Sequence, residues 1–132
     1  MSQILDEIIR EMPPGLDRAI LRILSFHQGR EHAISRKRLR AELGRLGFVV
    51  DEDEREARVC INQFRKEGMQ ICSTGGKGGG YWMAIDHKEL EKFIQKEMDS
   101  RAMDLLEQAR AMRAAAEKRW GRYSPEKQAS LF

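Results

Sequence analysis

Arg55, Arg58, Asn62 and Lys66 are the side chains best suited, by type and spacing, to a defined chemistry. Together with Val59 they recur at roughly the 3.6-residue period of one helix face, opposite Ala57. A guanidinium can hold guanine through two hydrogen bonds, a carboxamide can do the same for adenine, and a valine can touch a thymine methyl. Arg36, Lys37 and Arg38 form a short cationic run, and Lys77 is a single cation among glycines; both suit phosphate oxygens. Catalytic chemistry has no comparable footing. Cys60 and Cys72 are twelve residues apart and lack the paired spacing of a zinc site, so both read as reduced core thiols. His27, His32 and His87 are scattered. With no nucleophile beside a base, no carboxylate pair and no ligand cluster, the chain is expected to be non-enzymatic, with no metal and no other cofactor.

Composition sets the frame for those residues. The chain has 132 residues, 41% of them apolar and 34% charged, enough for one domain and an appendage. No run approaches the roughly 18 apolar residues of a membrane span. The first ten residues carry Asp6 and Glu7 and no basic-then-apolar leader, which points to a cytoplasmic protein without a membrane partner, and a DNA ligand would make it nucleoid-associated. The net charge of +3 is unevenly placed. Residues 17–50 hold eight Lys or Arg against three acids, and residues 51–85 hold five against six. The positive field around Arg36, Lys37, Arg38 and Arg40 points to a polyanion.

The spacing of apolar residues predicts the elements. Ile4, Leu5, Ile8, Ile9 and Met12 mark a first helix ended by Pro13-Pro14-Gly15. A second helix is expected over 17–28, with Ile20, Ile23, Leu24 and His27 on one face and Gly29 as its stop. Ser35 should cap a third, turning Leu39, Leu43 and Leu46 inward and closing at Gly47. Asp51 with Glu54 reads as a capping box for a fourth helix, with Ala57, Cys60, Ile61 and Phe64 toward the core and Gly68 at its end. The pattern then alternates, predicting strands over 69–73 and 81–85. Between them, residues 74–80 contain five glycines, too costly in backbone entropy for helix or strand, so a hairpin tip remains. A nucleotide-phosphate loop is disfavoured because the strand-loop-helix context is missing.

The order Ser35-Arg36-Lys37-x-Leu39, Arg55-x-x-Arg58-x-x-Ile61-x-x-Phe64-Arg65-x-x-Gly68, Ile71-x-Ser73 and Gly79-Gly80-Tyr81-Trp82 resembles bacterial and phage winged-helix DNA-binding proteins. The biotin-repressor DNA-binding domain is of the same general type. The resemblance covers about half the chain. It implies a mainly α fold with a small β-hairpin, a winged helix-turn-helix over 15–86 between an N-terminal helix (1–14) and a long C-terminal helix (87–121). It also implies duplex DNA as partner, with Arg36, Lys37, Arg38, Arg55, Arg58, Asn62, Lys66 and Lys77 as the contacting residues. Asp51, Glu52, Asp53, Glu54 and Glu56 oppose this: they suit the positive end of a helix but repel phosphate.

From residue 86 to about 120 nothing breaks the helix, and Leu90, Phe93 and Ile94 are expected to pack back on the preceding domain. Met98, Ala102, Leu105, Ala109, Met112 and Ala116 then step by 4, 3, 4, 3 and 4, a heptad seam. Its partner is either the N-terminal helix or a second copy of the chain. Homodimerisation is the favoured reading. Gly121 and Pro125 end the helix and begin a flexible tail, 122–132. Its last five residues, Gln128-Ala129-Ser130-Leu131-Phe132, resemble the pentapeptide by which bacterial replication and repair proteins bind the sliding clamp. That likeness implies Gln128 in a small polar pocket and Leu131 with Phe132 in an apolar cleft. Ala129 stands where the family commonly has Leu. The expectation is a replication-associated DNA-binding protein tethered to the clamp. The alternatives are a dimeric transcriptional regulator at an operator and a winged-helix adaptor that binds only protein.

Overall fold

The computed structural model describes residues 2–52, 54–75 and 79–125. The chain is mainly helical, with a small three-stranded antiparallel sheet and a long C-terminal helix. It divides into two compact units, residues 1–93 and 94–132.

In the first unit, α1 (Ser2–Glu11), α2 (Leu16–Leu24), α3 (Arg36–Arg45) and α4 (Arg55–Lys66) surround one apolar core. Ile9, Ile20, Leu21, Leu24, Leu39, Leu43, Ala57, Ile61 and Phe64 are buried there. Each helix is apolar on one side only, so burying that side fixes its rotation about its own axis. Ser35 caps α3 as its type predicts: its side chain accepts from the Arg38 amide at 3.2 Å.

The sheet is built from β1 (Ile34–Ser35), β2 (Ile71–Ser73) and β3 (Gly80–Met83), in the order β1-β3-β2. Ile34 pairs with Tyr81 and Ser35 with Gly80; Ile71 pairs with Met83 and Cys72 with Trp82. The central strand β3 is buried along its whole length. Tyr81 and Met83 join the helical core, while Trp82 sits edge-on to Phe93 at 6.5 Å between ring centres. The Trp82 indole donates to Glu89 Oε1 at 2.7 Å, which ties β3 to α5 (His87–Phe93). Asp86 starts α5 by accepting from the Glu89 amide at 2.8 Å.

Several expectations change in the folded chain. The second helix stops at Leu24 rather than residue 28, because His27 and Gly29 bond to the Met83 backbone at 2.8 Å each and the segment between them bridges to the sheet. Gly29, with φ +85°, opens a turn of 3₁₀ helix over Arg30–His32 instead of closing α2. Leu46 is 58% exposed, because α3 has already ended at Arg45. The capping box at Asp51 does not form. Glu54 is itself the N-cap residue of α4, left-handed at φ +56°, and its amide bonds the Asp51 carbonyl at 2.9 Å. Cys60 is only half-buried, at the margin of the α4 core face. The strands are shorter than their alternating pattern, with Met69, Gln70, Ala84 and Ile85 outside them, and β1 is a strand that the pattern did not reveal. The C-terminal helix is not regular throughout: Ile94–Asp99 is π-helical before α6 (Ser100–Trp120). No glycine or proline marks that stretch.

Candidate nucleic-acid interface

The fourth helix presents two contrasting faces. Ala57, Ile61 and Phe64 are buried, while Arg55, Arg58, Val59, Asn62 and Lys66 are exposed. At 100° per residue the exposed five span about 100° of helix surface, over an axial length of about 16 Å. Val59 stands 60% exposed amid this polar stripe. The stripe therefore offers hydrogen-bond donors, one carboxamide and one branched methyl group in a row.

A second group gathers at the start of α3. Ser35, Arg36, Lys37 and Arg40 line an open cleft of about 490 Å³ together with Glu52, Glu54 and Gly79. The sequence singled out Arg36, Lys37 and Arg38, and of these only Lys37 and Arg38 are exposed. Arg38 pairs with Glu42 at 3.4 Å on the same helix. Arg36 is drawn inward: its Nη2 donates to the Thr74 carbonyl at 3.2 Å, and its guanidinium lies 5.6 Å from the centre of the Tyr81 ring. Its principal structural contact is thus with the base of the hairpin, which it orients. Arg40 belongs to the cleft and was marked in the sequence only as part of the charge run.

The acids are placed asymmetrically. Glu52 and Glu54 line the cleft beside the α3 cations, and Glu56 is exposed in the first turn of α4. Attraction between cleft acids and α3 bases offsets part of the positive potential that composition alone implied.

A third cation, Arg65, proves to be structural. Its Nε donates to the Ile71 carbonyl at 2.8 Å and its Nη2 to Ser73 Oγ at 3.0 Å, with the guanidinium 5.2 Å from the Phe93 ring centre. Burial lowers its pKa from the ordinary arginine value. The Arg-x-x-Gly pattern showed the residue without showing this role, because its partners are a strand backbone and a distant ring.

Neither cysteine is poised for nucleophilic work. Burial, and then the Asp17 carboxylate that accepts the Cys60 thiol at 2.8 Å, push Cys60 up to about 12. Burial pushes Cys72 up to about 11. Both remain thiols at neutral pH, when a thiolate would be the reactive form. Among the described residues no group of three or more His, Cys, Asp or Glu could hold a metal ion. No helix among them is long and apolar enough to cross a membrane.

Of the remaining sequence-marked residues, Lys77 and the motif residues Gln128, Leu131 and Phe132 lie outside the described residues. In the second unit, Met98, Ala102, Leu105 and Met112 are exposed, and Ala109 and Ala116 are half-exposed. Comparison with family models, with curated proteins and with solved structures finds no match to this chain.

Proposed function

We propose that this is a non-enzymatic DNA-binding protein in which α4 enters the major groove. What supports the reading above all is the two-sided α4. Ala57, Ile61 and Phe64 are consumed by the core, and its outer stripe combines Arg55, Arg58, Asn62 and Lys66 with a Val59 that stands 60% exposed. That set matches the donors, acceptors and methyl groups of base edges. Lys37 and Arg38 at the start of α3 then contact phosphates, and Lys77 binds the flanking backbone. Arg36 contributes by holding the hairpin in place.

Glu52 and Glu54 beside the α3 cations make the DNA contact a weak one. A tether answers that weakness. Residues 128–132 bind the bacterial sliding clamp, Gln128 in a polar pocket and Leu131 with Phe132 in an apolar one, and the protein is replication-associated in bacteria or phage. Joining two weak contacts gives an effective concentration on the order of millimolar. Dimerisation through α6 doubles the DNA contacts.

Binding of labelled duplexes across a salt series tests the DNA contact. Arg58→Ala and Asn62→Ala should each cost about 1–3 kcal/mol against the preferred sequence. Reversing charge at Arg55, Arg58 and Lys77 together should flatten the salt slope; an unchanged affinity and slope would exclude DNA as the ligand. Deleting residues 128–132 should abolish clamp binding and leave the DNA contact intact, and equal clamp binding by the shortened chain removes the tether. The acids in the cleft favour one second reading, a winged-helix adaptor whose partner is a basic protein surface. A chain that binds an operator tightly without any clamp would instead be a transcriptional regulator.

A further inference from the structure

The long helix α6 exposes an apolar seam that is balanced about its own midpoint. Leu105 is 64% and Met112 72% exposed, and Leu106 beside them is 49% exposed. Around Glu107 the seam residues match in mirror order: Ala102 with Met112, Leu105 with Ala109, and Met98, which with Asp99 ends the π-helical turn leading into α6, with Ala116. Every such pair joins one large side chain to one alanine.

We infer that two copies of this chain pair through α6 in antiparallel orientation, with the twofold axis at Glu107. The inference rests on the dimer reading above and adds the partner's direction and register. In an antiparallel pair each layer contains one large and one small residue, so the helix axes keep a constant separation. A parallel pair would stack Ala102, Ala109 and Ala116 on themselves, alternating with layers of two Leu or two Met. The large layers would then hold the helices apart at the alanine layers and leave voids, which close packing penalises.

Charge points the same way. Residues 96–107 carry four acids and two bases, and residues 110–122 carry five bases and one acid. Antiparallel pairing sets each acidic half against the other copy's basic half. At the flank of the seam it brings Asp99 of one copy to Arg113 of the other, twice per dimer, with Leu106 facing its own counterpart at the axis. Neither Asp99 nor Arg113 makes an ion pair within the described chain, unlike Glu97 and Arg101, which bridge at 3.6 Å. In a parallel pair Asp99 and Arg113 would lie about 21 Å apart along the axis, too far to couple.

Sedimentation equilibrium of the full chain, at low and high salt, tests both parts. The unaltered protein should be a dimer, and Leu105→Asp a helical monomer by circular dichroism. Asp99→Arg and Arg113→Asp should each weaken dimerisation about fivefold at low salt, by replacing attraction with repulsion. The double variant should return to within about twofold of the unaltered protein. A monomer at every concentration overturns the inference, as does a larger oligomer. Single variants without effect, or a double variant as weak as the product of the singles, overturn the antiparallel orientation. The DNA reading fails separately: a monomer that still binds duplex sinks only the dimer, and an antiparallel dimer blind to DNA sinks only that reading.

Discussion

Gly80 gives the sharpest test of how the hairpin is anchored. It opens β3 and pairs with Ser35 of β1. A Cβ placed there would run into the Ile34 carbonyl, 2.8 Å from its carbon, and lie 3.2 Å from Ser35 Cα. These are backbone atoms of a paired strand, so no change of rotamer relieves the overlap. To restore ordinary carbon contacts near 3.5 Å, β1 must retreat by on the order of an ångström. That retreat breaks the Ile34–Tyr81 and Ser35–Gly80 pairing and strains the Arg36 amide bond to the Gly79 carbonyl, 3.3 Å long. Two weakened hydrogen bonds at about 1 kcal/mol each, with overpacking of about 1–3 kcal/mol, place Gly80→Ala about 3–5 kcal/mol below the unaltered protein. Gly75 supplies the control. It lies in the same glycine-rich segment with nothing within 4 Å of a built Cβ, so Gly75→Ala should change stability by less than about 0.5 kcal/mol. Urea unfolding followed by circular dichroism measures both. A Gly80→Ala protein within about 1 kcal/mol of the unaltered one would refute the close approach of β1 to β3.

Three further outcomes follow from the same geometry. Arg65→Met keeps the aliphatic stem but leaves the Ile71 carbonyl and Ser73 hydroxyl without their donor, so thermal unfolding should report a loss of about 2–4 kcal/mol, and Arg65→Lys should recover only part of it. The folded thiols are held above the ordinary value of 9.0, so the native state keeps protons that the unfolded state releases. Stability from this source is complete below pH 9 and is lost as pH rises toward about 11 for Cys72 and about 12 for Cys60. Unfolding at a series of alkaline pH values should show that decline, and stability that rises above pH 9 would contradict it. Glu54→Gly removes a cleft carboxylate and relieves a left-handed residue at φ +56°, so duplex affinity at low salt should rise about two- to fivefold with stability held within about 1 kcal/mol. Unchanged affinity would show that the cleft acids do not oppose DNA.

Much of this molecule is local and therefore legible in one dimension. The spacing of Ile20 and Leu24, of Leu39 and Leu43, and of Ala57, Ile61 and Phe64 marks the buried side of each helix, because burial of a helix depends on which residues share a face. The same periodicity placed Arg55, Arg58, Val59, Asn62 and Lys66 on the outer face of α4. Ser35 announced its cap three residues from the amide it accepts.

What stayed hidden depends on partners far along the chain. A two-residue strand has no pattern to read; β1 exists because Gly80 and Tyr81 come alongside it. Arg36 reads as a phosphate ligand from its neighbours alone, and its bond to the carbonyl of Thr74, thirty-eight residues away, is a second role that they do not show. Arg65 was one more cation on a basic helix until the β2 backbone and the Phe93 ring surrounded it. The second helix ended early because the Met83 backbone claimed the residues after it. Charge and hydrophobic period are properties of neighbours in sequence, whereas the conversion of a cation into a brace, or of a loop into a strand, needs groups that only chain folding brings within hydrogen-bond distance.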